Sequence, residues 1–170
     1  MAIVDVTVYY LEMHGHTTPV MPEPRDGMSV IHARNPTVDY YRFLYNSVGR
    51  EFDWYSRRIM PDTDLAAILA DPRVELQVLH IDGSPAGFVE LDRRIDNEIE
   101  IVHFGLMGDW IGQGLGKWFL NRTLHLAWSY QPKRVWLHTC TMDHPVALPN
   151  YRKAGFVLYK EESIQREVHP

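Results

Sequence analysis

Three glycines at alternate positions, Gly112, Gly114 and Gly116, stand where a β-patterned run ends and the longest helical period of the chain begins. The run 98–107 is rich in β-branched and aromatic residues. From 114 to 130 the apolar residues Leu120, Leu124, Ala127 and Trp128 return at helical spacing, and Pro132 follows the end. A strand delivered straight into a helix through glycines points to an α/β arrangement. The junction also has a chemistry. Free amides and the positive dipole end at a helix start favour an anion, and glycine lets a phosphate approach the backbone without a blocking Cβ. A diphosphate suits such a loop.

Two other glycine-rich phosphate motifs fail on position. A Walker loop needs glycine at 111 and a hydroxyl residue at 118, where Ile111 and Trp118 stand. A dinucleotide fingerprint starting at Gly112 needs glycine at 117, which is Lys117, and a downstream acid that is missing.

The remaining pattern predicts a strand over 3–13, a proline-bearing loop over 14–27 and a short strand near 29–33. Helices follow over 37–48, with Thr37 as cap, and over 63–70, with Asp62 or Thr63 as cap. Runs 74–81, 86–93 and 98–107 read as an antiparallel meander, and 134–141 as a further strand. A short helix over 145–154 tolerates Pro149 in its first turn, Gly155 stops it, and 157–161 reads as the last strand. The expected fold is one α/β domain spanning 1–170, a mixed, largely antiparallel sheet with helices on both faces.

A net charge of −5, from 17 Lys and Arg against 22 Asp and Glu, argues against a nucleic-acid or anionic-lipid partner. Without a basic N-terminal region or an apolar run of membrane-spanning length, the expectation is a cytoplasmic protein with no membrane partner. Cys140 is the single cysteine, so an intrachain disulfide and a thiolate-rich metal site are ruled out and no metal is expected. At a strand end, with His138 and His144 near, Cys140 reads as a small buried hydrophobe rather than a nucleophile.

The stretch 110–117 resembles the acyl-coenzyme A loop of the GNAT superfamily of N-acetyltransferases: Gln or Arg, two residues, Gly, one residue, Gly or Ala. Gly114 and Gly116 match it, whereas Ile111 takes the place of the Gln or Arg and removes one polar contact. The resemblance covers roughly 74–161. It implies a splayed strand before the loop, acetyl-CoA as co-substrate, and cofactor contacts from Leu106, Met107, Ile111, Gly112, Gln113, Gly114, Leu115, Gly116 and Lys117. Residues 1–73 then form the acceptor side.

The resemblance also carries catalytic roles. Glu100 sits where histone-type members place a general-base glutamate. By strand alternation it shares a face with Val102, Phe104 and Leu106, apolar neighbours that raise a carboxyl pKa. His103 falls on the other face as a structural histidine, and Glu90, Asp92, His103 or a water remain alternative bases. Tyr151, in the Tyr, three residues, Gly-Phe arrangement of 151–156, matches the family's general acid for the thiolate. His144 stands where many members carry an asparagine that touches the cofactor.

Tyr40, Tyr41, Phe43, Tyr45, Phe52, Trp54 and Tyr55 crowd the acceptor side, as core packing or as an aromatic wall for an aromatic or cationic acceptor. The function implied is an N-acetyltransferase acting on a primary amine of a small molecule or peptide, and superfamily members often form homodimers. The alternative is a non-catalytic acyl-CoA sensor.

Overall fold

The Thr37 hydroxyl accepts a 3.1 Å hydrogen bond from the Tyr40 amide, and helix α1, Val38–Gly49, runs from that cap. The computed structural model describes residues 2–169. Strands β1 (Ile3–Met13) and β2 (Met28–His32) precede α1, and helices α2 (Ser56–Ile59) and α3 (Asp62–Ala70) follow it. The chain continues through β3 (Val74–Ile81), β4 (Ser84–Asp92) and β5 (Glu98–Leu106), then α4 (Leu115–Ser129), β6 (Arg134–Cys140), α5 (Ala147–Lys153) and β7 (Val157–Glu167). Pro149 lies in the first turn of α5, where no intrahelical amide is lost. Helix α3 starts at Asp62 behind Pro61 and has no side-chain cap.

The seven strands form one sheet in the order β2-β3-β4-β5-β6-β1-β7, antiparallel throughout except for β5 beside β6. Helices cover both faces. Leu11, Leu91, Ile101, Phe119 and Leu124 are buried in the core beneath α4, and Tyr41, Leu44, Leu65 and Phe88 in the core beneath α1 and α3. Strand β7 runs six residues beyond the expected end at 161. It is mostly exposed and carries little apolar periodicity. Its extent is set by ladder pairing to β1, from Ile3 opposite Glu167 to Glu12 opposite Val157.

Because β1 lies between β6 and β7 while β2 forms the far edge, the linker 14–27 must cross the α4 face. Asn121 on α4 fastens it, accepting from the Met21 amide at 2.9 Å and donating to the Pro19 carbonyl at 3.1 Å. Arg25 then pairs with Asp82 at 3.0 Å and lies over the Trp110 ring.

Two irregularities of β5 shape the site. Its pairing with β6 is three rungs long, Glu98 with Arg134, Ile99 with Val135 and Glu100 with Trp136, and beyond Glu100 the strands part. The expected splay is present. On its other side, β5 carries a bulge against β4: Glu90 pairs with His103 but Leu91 pairs with Ile101, so Val102 is an extra residue. One extra residue reverses the parity of everything after it. Ile101, Phe104 and Leu106 therefore pack on the α4 side, while Glu100 and His103 both face the α1 side. The face assignment drawn from simple alternation is overturned: Glu100 does not share a face with Phe104 and Leu106, and His103 does not lie opposite it.

Candidate active site

Where β5 and β6 part, a cavity of about 1040 Å³ opens. Its walls take in the start of α4, the facing edges His103–Leu106 and Leu137–Cys140, Tyr151 on α5, and Tyr45, Trp54 and Tyr55 after and within α1. The strands that leave each other thus create the space, and the helices on either face line its two ends.

At the α4 end, Gly112 (φ 84°) and Gly114 (φ 78°) adopt left-handed backbone, and a Cβ added at either would meet no atom within 4 Å. Gly114 is the N-cap of α4, so the first amides of that helix have no intrahelical partner. The open cradle, the unpaired amides and the flanking Lys117 fit a diphosphate. Of the residues expected to hold the cofactor, Leu106, Ile111, Gly112, Gly114, Gly116 and Lys117 lie in the cavity wall. The side chains of three others serve the scaffold. Leu115 is buried in the core, Met107 packs on the α1-side core, and the Gln113 amide donates to the Asp109 carbonyl at 3.1 Å.

Tyr151 borders the cavity with its ring edge-on to Phe104 and Phe156. Burial, and then the Asp143 charge, push its hydroxyl well above the usual range, so it holds its proton at neutral pH. Asp143 accepts from the Trp54 indole at 3.0 Å, the Thr139 hydroxyl at 2.5 Å and the Cys140 amide at 3.0 Å. Burial and Asp143 also push the Cys140 thiol up, away from a reactive thiolate. The His144 ring is edge-on to Phe52 and its Nδ1 accepts from the Val146 amide.

Glu100 is not part of the cavity wall. Its carboxyl lies at the last paired rung, opposite Asp92 on β4, and burial, with Asp92 and Glu90 nearby, pushes it up to about 7. The direction matches the sequence expectation. Burial, the leading cause, is also the expected one, but Phe104 and Leu106 do not supply it, and the like charges of Asp92 and Glu90 add to it. Its contact toward the cavity is His138 Nε2 at 3.9 Å, on a ring whose own pKa burial lowers. These opposite shifts leave the pair an ion pair in geometry more than in charge near neutral pH.

Glu90 is 1% exposed and fully engaged: it accepts from the Tyr41 hydroxyl, from Arg57 Nη2 at 2.8 Å, and stands 3.3 Å from His103 Nδ1. Burial alone would raise its pKa, but His103, Arg57 and Tyr41 outweigh that penalty and hold it at about 2. A carboxylate kept ionised this firmly is a poor base at neutral pH. Trp54 is one of the acceptor-side aromatics of the sequence, and its indole link to Asp143, 89 residues on, has no local pattern. Nothing in the sequence signals that His138, an exposed position alternating with buried Leu137 and Thr139 on β6, stands beside Glu100.

Comparison with known proteins agrees with this architecture. The model of the acetyltransferase (GNAT) family matches residues 40–156, and the chain belongs to that family, whose members generally use acetyl-CoA. Among solved structures, a GCN5-related N-acetyltransferase from Sphaerobacter thermophilus is 18% identical with a TM-score of 0.68, over 97% of this chain and 52% of that one. One from Kribbella flavida is 16% identical with a TM-score of 0.64, over 96% and 58%. An aminoglycoside acetyltransferase from an uncultured soil metagenomic sample, in complex with trehalose, is 15% identical with a TM-score of 0.63, over 78% and 90%. At these identities the likeness is one of fold, and the chain spans about half the length of the first two. No curated protein matches the chain. Among the described residues, no helix is long and apolar enough to cross a membrane.

Proposed function

We propose that the chain transfers an acetyl group from acetyl-CoA to a primary amine of a small molecule or peptide by direct attack. The observation that carries this reading is the single cavity joining the glycine cradle at the start of α4 to the splayed edges of β5 and β6 and to Tyr151. The diphosphate rests on the amides at Gly112–Gly116, and the pantetheine arm follows β5 toward Leu106, where unpaired backbone groups polarise the thioester. The amine nitrogen attacks the thioester carbonyl, the C–N bond forms and the C–S bond breaks. Tyr151 gives its proton to the departing sulfur and recovers one from the acylated nitrogen. Glu100 acts in this scheme through His138, its negative charge favouring the positive charge that gathers on the amine side.

The test is thiol release from acetyl-CoA across a panel of amines, with calorimetric binding of acetyl-CoA in parallel. Turnover with at least one amine is expected. Binding without turnover would move the chain to the acyl-CoA sensor reading, which Ile111 in place of a polar loop residue favours. Absence of binding would sink both readings.

A further inference from the structure

An acceptor amine arrives at neutral pH as an ammonium and must lose a proton at the cavity wall before it can attack. Glu100 lies outside the wall, and Glu90 is buried behind it with both oxygens engaged. We propose that His103 is the catalytic base, held in one tautomer and one orientation by Glu90. This rests on the acetyltransferase reading above.

The bulge at Val102 is what makes the role available, since it turns His103 to the α1 side and brings it into register with Glu90. There the ring is fixed on two sides, edge-on to Tyr45 at 5.0 Å and tilted against Trp54 at 5.2 Å between ring centres. His103 borders the cavity while its side chain stays 15% exposed, so the ring meets a ligand without being loosely solvated. Tautomer follows from chemistry. Ionised Glu90 can only accept, so His103 Nδ1, 3.3 Å from Glu90 Oε1, must carry the hydrogen, and the lone pair belongs to Nε2. A histidine oriented by a buried carboxylate is the arrangement in which a base takes up a proton and the resulting imidazolium is stabilised in place.

Glu90 is itself secured from two further elements, by Arg57 on α2 and Tyr41 on α1. The remaining titratable groups facing His103 are Tyr45 on α1, His138 on β6 and Glu100 on its own strand. The step balances. The acceptor ammonium gives one proton to His103 Nε2, the neutral amine attacks, and His103 returns that proton to solvent. The overall reaction of ammonium and thioester to amide and free thiol then releases one proton.

The decisive variant is His103→Asn, whose amide can still donate to Glu90 from the place of Nδ1 while Nε2 is lost. With acetyl-CoA and the best amine of the panel, kcat/KM is expected to fall about 10²-fold or more, with acetyl-CoA affinity and Tm retained. The remaining rate should climb with pH as free amine becomes available, without the wild-type acidic limb. In the wild-type protein, ¹⁵N shifts of the His103 ring should report a hydrogen on Nδ1. A variant that keeps the wild-type rate and limb, or a ring with its hydrogen on Nε2, overturns the proposal while leaving acetyl transfer standing. Wild-type protein without turnover on any amine would instead remove the reading on which it rests.

Discussion

His138 Nε2 lies 3.9 Å from Glu100 Oε1, just past the last rung that joins β5 to β6, so a carboxyl that burial pushes up to about 7 reaches the cavity across an imidazole. A group so placed influences charge in the cavity without touching the amine. Glu100→Gln should therefore lower kcat/KM by about fivefold, the size of one screened charge interaction, and remove one titration from the acidic limb. Comparison of full pH–rate profiles checks this. A loss near 10²-fold would return Glu100 to the role of direct base.

The same carboxyl makes a stability prediction. Its folded pKa, raised from 4.5 to about 7, means that its protonated form favours folding. That contribution is complete below pH 4.5 and is lost as pH rises through 7. Removing the charge with Glu100→Gln should stabilise the protein at pH 8, by at most about 3 kcal/mol, and leave it nearly unchanged at pH 4. Thermal melts of both proteins at the two pH values measure this directly, and equal Tm shifts at both would refute it.

Tyr151→Phe removes a proton donor whose hydroxyl stays protonated at neutral pH, and it keeps the ring that packs on Phe104 and Phe156. Fold and acetyl-CoA binding should be retained. The single-turnover rate should fall about 10²-fold if thiolate protonation limits it. An unchanged single-turnover rate would reject the acid role.

The elements that could be read from sequence are those that hydrophobic period and caps define. Thr37 opened α1 as expected, and the glycines marked the start of α4. The meander, the splay and the cradle followed the same signals and the resemblance built on them. What stayed hidden was set by pairing. The placement of β1 between β6 and β7 is a matter of which strands pair, which no local pattern encodes, and the length of β7 depends on ladder bonds of mostly exposed residues that leave no apolar pattern. The bulge at Val102 has the largest consequence for the site. A run such as Ile101-Val102-His103-Phe104 looks the same with or without an extra residue, yet the bulge decides that Glu100 and His103 face the same side.

Ligand binding should show in stability because only the folded chain presents the cradle. Acetyl-CoA at 100 times its Kd should add about 2.7 kcal/mol and raise Tm, and free CoA should do the same in kind. Gly114→Glu places a carboxylate in the open space at the helix start and strains a backbone held at φ 78°. Its Tm without ligand will fall for the second reason alone, so the informative quantity is the ligand-induced shift. That shift should vanish. If it persists at wild-type size, the diphosphate does not rest there.

Glu90 and Arg57 offer the largest effect on folding. The pair is 2.8 Å apart, with 2% and 12% of the respective side chains exposed, so loss of one partner strands a buried charge. Glu90→Gln should cost about 3–5 kcal/mol at pH 7, read as a lower midpoint of denaturant unfolding with an unchanged slope. The depressed carboxyl gives the sign of the pH dependence: held at about 2 against an ordinary 4.5, Glu90 contributes stability that is present above pH 4.5 and lost as pH falls toward 2. The gap between wild type and Glu90→Gln should therefore narrow steadily over that interval. A double replacement, Arg57→Met with Glu90→Leu, removes both charges and should recover part of the loss, limited by the buried Tyr41 hydroxyl and the His103 Nδ1–H, which lose their acceptor. Folded but with His103 no longer oriented, that double variant should remain slow. Recovery of stability together with full activity would show that the Glu90 cluster only holds α2 to the sheet and positions nothing for catalysis.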